Sequence, residues 1–303
     1  MNTQPPIPVG VRLPMCHETL PPADMLRVCT AAAEMGYRSI WVGDHLLLPA
    51  ASKSVYPHTH DGQRPFDATT PWVDPLLLLT WLSAQMPGTH FGTSVLILTL
   101  RHPVLIAKHI ASMSWLTRRP ISIGVGTGWL RDEYDVVGLP FEKRATRAKL
   151  ALAEIRELIT RGGKTYTVRG DDDQPVDKHF EMKPIAPAPV EFLWGGFSPL
   201  ALRLVASSCD GWLPAKQDIE QLRQLLPQLR AACDDAQRDF KELRLVAKVG
   251  PGPDPETGRV DRDNLRGYAE LGFHEVIMEL PLDPGSSKAA IDTLERVAKR
   301  SWL

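Results

Sequence analysis

Three glycines fall within five residues, Gly124, Gly126 and Gly128, in the stretch PISIGVGTGWLRDEYD (120–135). An apolar β-type run precedes them and a helical pattern follows. A glycine-rich turn between a strand and a helix presents backbone N–H groups, and the missing Cβ lets a ligand approach the chain. A dinucleotide fingerprint needs GxGxxG opening a helix and an acid about twenty residues on, at the next strand's end. Here Trp129 follows the third glycine, and RATRAKLAL, a helix face, lies where the acid should be. The dinucleotide reading fails on that context. A turn that lets a flat ligand lie against the backbone remains, beside a plain tight turn with no ligand.

A second candidate is LWGGFSP. Gly195, Gly196, Phe197 and Ser198 lead into Pro199 at a helix start, where N–H groups collect and Ser198 adds a hydroxyl. Such an end binds a phosphate monoester; the alternative is a serine that only caps the helix. His58, His60 and Asp61 suggest a metal, but no third ligand follows at helical spacing, and a loop closing over substrate is the better reading. No metal is expected. The aspartates 171–173 read as a solvated charge run, and Arg131, Asp132 and Glu133 as residues that tie down a helix start.

The elements that must hold these groups recur in a regular order. Apolar, β-branched runs occur at 7–14, 39–45, 90–98, 120–126, 190–196, 210–215, 243–250 and 275–281, and each leads into helical spacing. Pro103 sits at a first helical position, and Gly36 and Gly162–Gly163 follow helix ends. Continuously apolar strands are buried on both faces, as in a parallel sheet. Eight βα units in 303 residues predict an α/β fold, one (βα)8 TIM barrel over 1–303. Insertions are expected after strands two and four, at about 46–70 and 162–189, the latter irregular because charge and proline crowd it. In such a barrel the chemistry lies at the C-terminal strand ends. Those ends carry Asp44–His45, Thr93–Ser94, Gly126–Thr127–Gly128, Gly195–Gly196 and Ser198.

Composition narrows the partners. The net charge is −1, with lysine and arginine dispersed, so neither a nucleic-acid face nor a basic membrane surface is expected. The run 76–82 is too short to span a bilayer, and the first residues do not read as a secretory signal. Cys16, Cys29, Cys209 and Cys233 lack ligand spacing and read as reduced thiols of a cytoplasmic protein.

Four blocks, GYRSIWVGDHLLLP, FGTSVLILTLRHPVLIAK, GVGTGWLRDEYDVVGLPFEKR and FLWGGFSPLALRLVASSCDGWLP, together resemble the bacterial luciferase-like monooxygenase superfamily, especially its coenzyme F-420-dependent oxidoreductases. The resemblance runs from about residue 9 to residue 215. It implies hydride transfer between coenzyme F-420 and a small, apolar organic substrate, with FMN and a separate flavin reductase as the monooxygenase alternative. A flavin-binding barrel without turnover is the non-catalytic one. It further implies that Asp44 contacts the ring and that His45 carries the proton, for which an imidazole titrating near neutrality is suited. At Thr93, Ser94 and Val95 it implies a cis Ser94–Val95 bond under the ring. Gly126, Thr127 and Gly128 would meet the ring's polar edge and ribityl chain, and Gly195, Gly196, Phe197 and Ser198 its phosphate. Relatives acting on glucose 6-phosphate carry glutamate where this chain has Trp129, a departure that points away from sugar phosphates. A homodimer through the helices flanking strands two and three is the assembly the resemblance implies.

Overall fold

The computed structural model describes residues 5–13, 20–57, 59, 61–170, 173–215, 218–250, 261–280, 282 and 285–302. His58, His60, Asp171, Asp172, Cys16 and the outer ends of the first and last expected strands, Pro14 and Pro281, lie outside them. Ten strands are present among the described residues: β1 (Val9–Arg12), β2 (Ser39–Val42), β3 (His90–Ile97), β4 (Ile121–Gly126), β5 (Gly163–Arg169), β6 (Pro175–Glu181), β7 (Val190–Trp194), β8 (Gly211–Trp212), β9 (Arg244–Val249) and β10 (Glu275–Met278). Eight of them, in the order β1-β10-β9-β8-β7-β4-β3-β2, close into a parallel barrel. The helices are α1 (Pro22–Glu34), α2 (Pro75–Gln85), α3 (Pro103–Thr117), α4 (Arg131–Val136), α5 (Arg144–Arg161), α6 (Pro199–Ser208), α7 (Ile219–Asp235), α8 (Arg262–Glu270) and α9 (Ser287–Ser301). The fold is the expected (βα)8 barrel, and no described helix is long and apolar enough to cross a membrane.

Local chemistry sets the element ends. Asp74 accepts from the Leu76 and Leu77 amides at the start of α2, and Asp218 forms a capping box with Gln221 on α7. α5 stops at Gly162, whose φ of +78° suits glycine. Outward strand residues pack under the helices in one continuous core, where Cys29, Cys209 and Cys233 are buried free thiols. Burial pushes the first two up to about 12.

The segment 162–189 corrects the expectation of irregular chain. It folds into an antiparallel hairpin, β5 with β6, outside the barrel, with Gly163 opposite Glu181 and Arg169 opposite Pro175. The signal was KTYTVR, a run of strand-forming residues hidden between charges and prolines. The 210–215 strand is short, yet parallel bonds from Leu213 N to Trp194 O (2.9 Å) and Ala215 N to Gly195 O (3.0 Å) carry the pairing to residue 215.

Inside the barrel, strand alternation builds three levels. At the N-terminal ends, Ser39, His90, Ser122, Glu191, Arg244 and Glu275 form a hydrogen-bonded network. Arg244 pairs with both Glu191 and Glu275, Ser39 bonds Glu275, and Trp41 Nε1 donates to Ser39 Oγ at 2.6 Å. Trp41, Leu193, Leu213, Val246 and Ile277, with Val95 against them, fill the middle. Gly92 makes room for the indole, since a Cβ there would lie 2.4 Å from Trp41 Cζ3. The third level, at the C-terminal ends, is open.

Candidate active site

That third level is the floor of a cavity of about 320 Å³ at the C-terminal strand ends. The inward positions there are Gly43, Val95, Gly126, Gly195 and Ala215 along β2, β3, β4, β7 and β8 and the residues that follow them. Lys248, Glu279 and Arg12 continue the ring along β9, β10 and β1. Five neighbouring strands thus present small or flat surface, and the remaining three present charge.

The small half is shaped by missing side chains. A Cβ on Gly126 would lie 2.8 Å from Val95 Cγ2, and one on Gly195 would lie 2.9 Å from Val95 Cγ1. Val95 therefore stands between two glycines, with bare backbone on either side. The Ser94–Val95 peptide bond is cis, at a register shift between Thr93 and Leu96 in the pairing of β3 with β4. Ser94 Oγ is buried with no hydrogen-bond partner among the described residues. This floor fits a planar heterocycle, because it offers area without protrusions and polar atoms at its edges.

His45 stands at one side of that floor. Its Nδ1 donates to Glu133 Oε2 at 3.0 Å, a carboxylate being able only to accept, and Glu133 Oε1 accepts from the Leu46 amide at 2.7 Å. Glu133 is wholly buried, so it fixes the ring orientation and the tautomer that leaves Nε2 as the basic nitrogen. Trp72, Phe66 and Trp129 surround the imidazole, with ring centroids at 4.7, 5.4 and 5.9 Å. Tyr56 packs on Trp129 at 5.1 Å and continues the aromatic wall.

Tyr56 and Phe66 lie on the 46–70 excursion, and α4 clasps that chain at both Leu46 and Ser52–Ser54. Glu133 holds its first residues, while Asp132 Oδ2 accepts from Ser52 Oγ at 2.6 Å. The Arg131 amide donates to Ser54 Oγ at 3.1 Å. Asp44 lines the cavity, but its side chain is fully buried and both carboxylate oxygens are engaged. Arg101 donates to them at 2.7 and 2.9 Å and also bridges to Asp74, while the Ile97 amide donates at 2.9 Å. Burial pushes the Asp44 carboxyl up, opposed by Arg101 and the Ile97 N–H.

Of the residues expected from the sequence, Asp44, His45, Ser94, Val95, Gly126, Thr127, Gly128, Gly195, Gly196 and Phe197 line the one cavity. Thr93 does not; it is buried and donates to Gly124 O at 2.7 Å. Ser198 is exposed beyond the wall and its Oγ accepts from the Ala201 amide at 3.2 Å, capping α6. Sequence reasoning missed Glu133 as the partner of His45, and Arg12, Lys248 and Glu279 as lining. The latter three carried a readable signal: each occupies an inward phase at a strand's C-terminal end, two residues beyond Gly10, Val246 and Ile277.

A closed parallel barrel with a flat floor and a held histidine at its C-terminal rim has the form of a cofactor-dependent enzyme. A family model described as luciferase-like monooxygenase matches residues 7–280, and the chain belongs to that family. It is accordingly an enzyme of oxidoreductase type, in a family associated with flavin and deazaflavin cofactors. An uncharacterized protein of Mycobacterium tuberculosis is 32% identical over 207 residues, covering 68% of this chain and 70% of its own length. An F-420-dependent glucose-6-phosphate dehydrogenase of Amycolatopsis mediterranei is 27% identical over 300 residues, 94% of this chain and 82% of its own. Among solved structures, an F-420-dependent secondary alcohol dehydrogenase superposes with a TM-score of 0.66 at 16% identity, covering 96% of this chain and 98% of that one. The oxygenating constituent of 3,6-diketocamphane monooxygenase from Pseudomonas putida, with FMN, gives 0.65 at 13%, covering 98% of each. Both superpositions speak to the fold.

Proposed function

We propose that this chain binds coenzyme F-420 across the small-residue half of the floor and moves a hydride between it and a small organic substrate, in the cytoplasm. The observation that carries this reading is Val95 standing between Gly126 and Gly195, a surface that any Cβ would spoil, next to His45. The F-420-dependent relative that spans 94% of the chain supports the choice of deazaflavin. Bound there, the group would supply or take up the hydride. His45 Nε2 gives or takes the matching proton at the substrate, and Glu133 holds the imidazole for it. The aromatics of the 46–70 excursion exclude water. The Gly195–Phe197 backbone and the start of α6 hold the phosphorylated tail, with Ser198 keeping that helix start in shape. Asp44, committed to Arg101, acts as a positioning residue rather than a ring contact.

The alternative is an FMN-dependent monooxygenase supplied by a separate reductase, favoured by the FMN-bound structure that superposes equally well. Titrating the purified protein with coenzyme F-420 and with FMN, and following oxygen during turnover, tests both. Tight F-420 binding with no oxygen uptake is the expected result. FMN-only binding with oxygen consumption would transfer the assignment to the alternative. The homodimer belongs to the same reading, supported by Leu77 on α2 and Leu105 and Leu116 on α3, all more than half exposed. Light scattering tests it.

A further inference from the structure

The charged third of the floor has no role in the reading above. Arg12 and Glu279 form an ion pair with side chains only 15% and 17% exposed, and Lys248 lines the same wall from β9. The strand ends explain their company: β10 lies between β1 and β9, and the Glu279 amide bonds Val249 O at 2.8 Å. Glu279 therefore sits between the strand ends that carry the two cations. Arg12 also leans over the end of the neighbouring strand β2. A Cβ on Gly43 would lie 2.4 Å from Arg12 Nη2 and 3.2 Å from Trp72 Cζ3, so the guanidinium arches over Gly43 toward the aromatic wall.

A guanidinium and an ammonium on one cavity wall suit a carboxylate or phosphate. We infer that this arc recognises an anionic group on the substrate, while Tyr56, Phe66, Trp72 and Trp129 take an apolar body. The substrate class is thus a small amphiphilic acid rather than a uniformly apolar compound. Glu279 holds Arg12 extended into the cavity until the acid arrives, and the incoming anion then shares Arg12 and meets Lys248. This rests on the cofactor lying on the small-residue half, as proposed above.

The test uses phenylacetate, phenyl phosphate and the neutral phenylacetamide, titrated by calorimetry into the cofactor-loaded protein. At least one anion should bind about 10-fold or more tighter than the amide, with the preference shrinking as salt rises; which anion wins separates carboxylate from phosphate. Lys248→Gln should erase most of that preference while cofactor affinity stays within about 2-fold. Equal binding of amide and anions overturns the inference, as does a preference that survives both Lys248→Gln and high salt. A large loss of cofactor affinity in Lys248→Gln also overturns it, since the arc would then serve the cofactor's tail. Should the wild-type protein take up no cofactor, the functional reading fails instead. The same titration on the cofactor-free protein then reads the anion preference by itself, and the salt series does so even if the variant does not fold.

Discussion

The two ends of the barrel use one backbone alternation for opposite purposes. At the N-terminal end every inward position named above carries a side chain that meets another: Arg244 with Glu191 and Glu275, Ser122 with His90, Ser39 with Trp41. At the C-terminal end the equivalent positions on five strands are Gly43, Val95, Gly126, Gly195 and Ala215, and a cavity of about 320 Å³ opens above them. Side-chain volume at the inward phase, not strand geometry, decides whether a level is plugged or open. Charge follows the same division. Below, it is consumed in a closed network that fixes the strands; above, it faces space that a ligand can enter.

The sharpest way to break this division is to remove one group from each end. His45→Ala should lower turnover by about 10²–10⁴-fold and leave cofactor affinity nearly unchanged, although the buried Glu133 then loses its imidazole partner and some stability with it. Steady-state kinetics with a cofactor titration checks this, and an unchanged rate would remove His45 from the chemistry. Glu275→Ala should do the reverse. It leaves Arg244 with Glu191 and Ser122 as partners and deprives Ser39 and Trp41 of an acceptor, at a cost of about 1–3 kcal/mol in denaturant unfolding. Turnover per folded molecule should stay at the wild-type value.

How much of this was legible in the residues follows from what each signal depends on. The eight strands and the two excursions were readable because burial on both faces writes a continuous apolar run, as in SIWV and ISIGVG. The glycine turns and His45 were readable because their types and strand-end positions are local features. Glu133 was not: its role depends on α4 folding back 88 residues along the chain to reach His45, and a carboxylate at a helix start otherwise reads as charge–dipole tidying. Asp44 is the converse case. Its position marked the rim, but Arg101, 57 residues away, takes both its oxygens. The β5–β6 hairpin escaped because its strands are exposed and so lack the burial pattern that marked the others.

The lower network also sets a pH response. Burial, with the nearby Arg244 charge, holds the His90 imidazole down at about 4, against 6.5 for the ordinary group. Between those values the unfolded chain binds the proton and the folded one does not. His90 therefore adds no penalty above pH 6.5, and stability falls as pH drops from 6.5 toward 4, then levels off. The loss is at most on the order of 3 kcal/mol. Unfolding measured across that range for the wild type and His90→Gln isolates it: the difference between the two should be constant near neutrality and shift in the variant's favour as pH falls toward 4. A difference independent of pH would mean that His90 is protonated within the fold.

The smallest perturbation gives the finest discrimination, because a single methyl can be placed at either level. In Gly92→Ala the new Cβ would lie 2.4 Å from Trp41 Cζ3 and 2.5 Å from Cε3, against a buried indole hydrogen-bonded to Ser39. Trp41 has nowhere to retreat, so the strain should appear as about 1–3 kcal/mol of lost stability, with cofactor affinity kept. In Gly126→Ala the Cβ would lie 2.8 Å from Val95 Cγ2, a side chain that borders open space and can turn into it. The fold should lose less than about 1 kcal/mol, but Val95 would then intrude on the floor and weaken cofactor binding by about 10-fold or more. Thermal unfolding and a cofactor titration on both variants give four numbers, and the division between the two ends predicts that the large effects fall on opposite measurements. If Gly126→Ala costs stability as Gly92→Ala does and leaves binding untouched, the glycines of the upper level serve packing, and the flat floor is not where the ring lies.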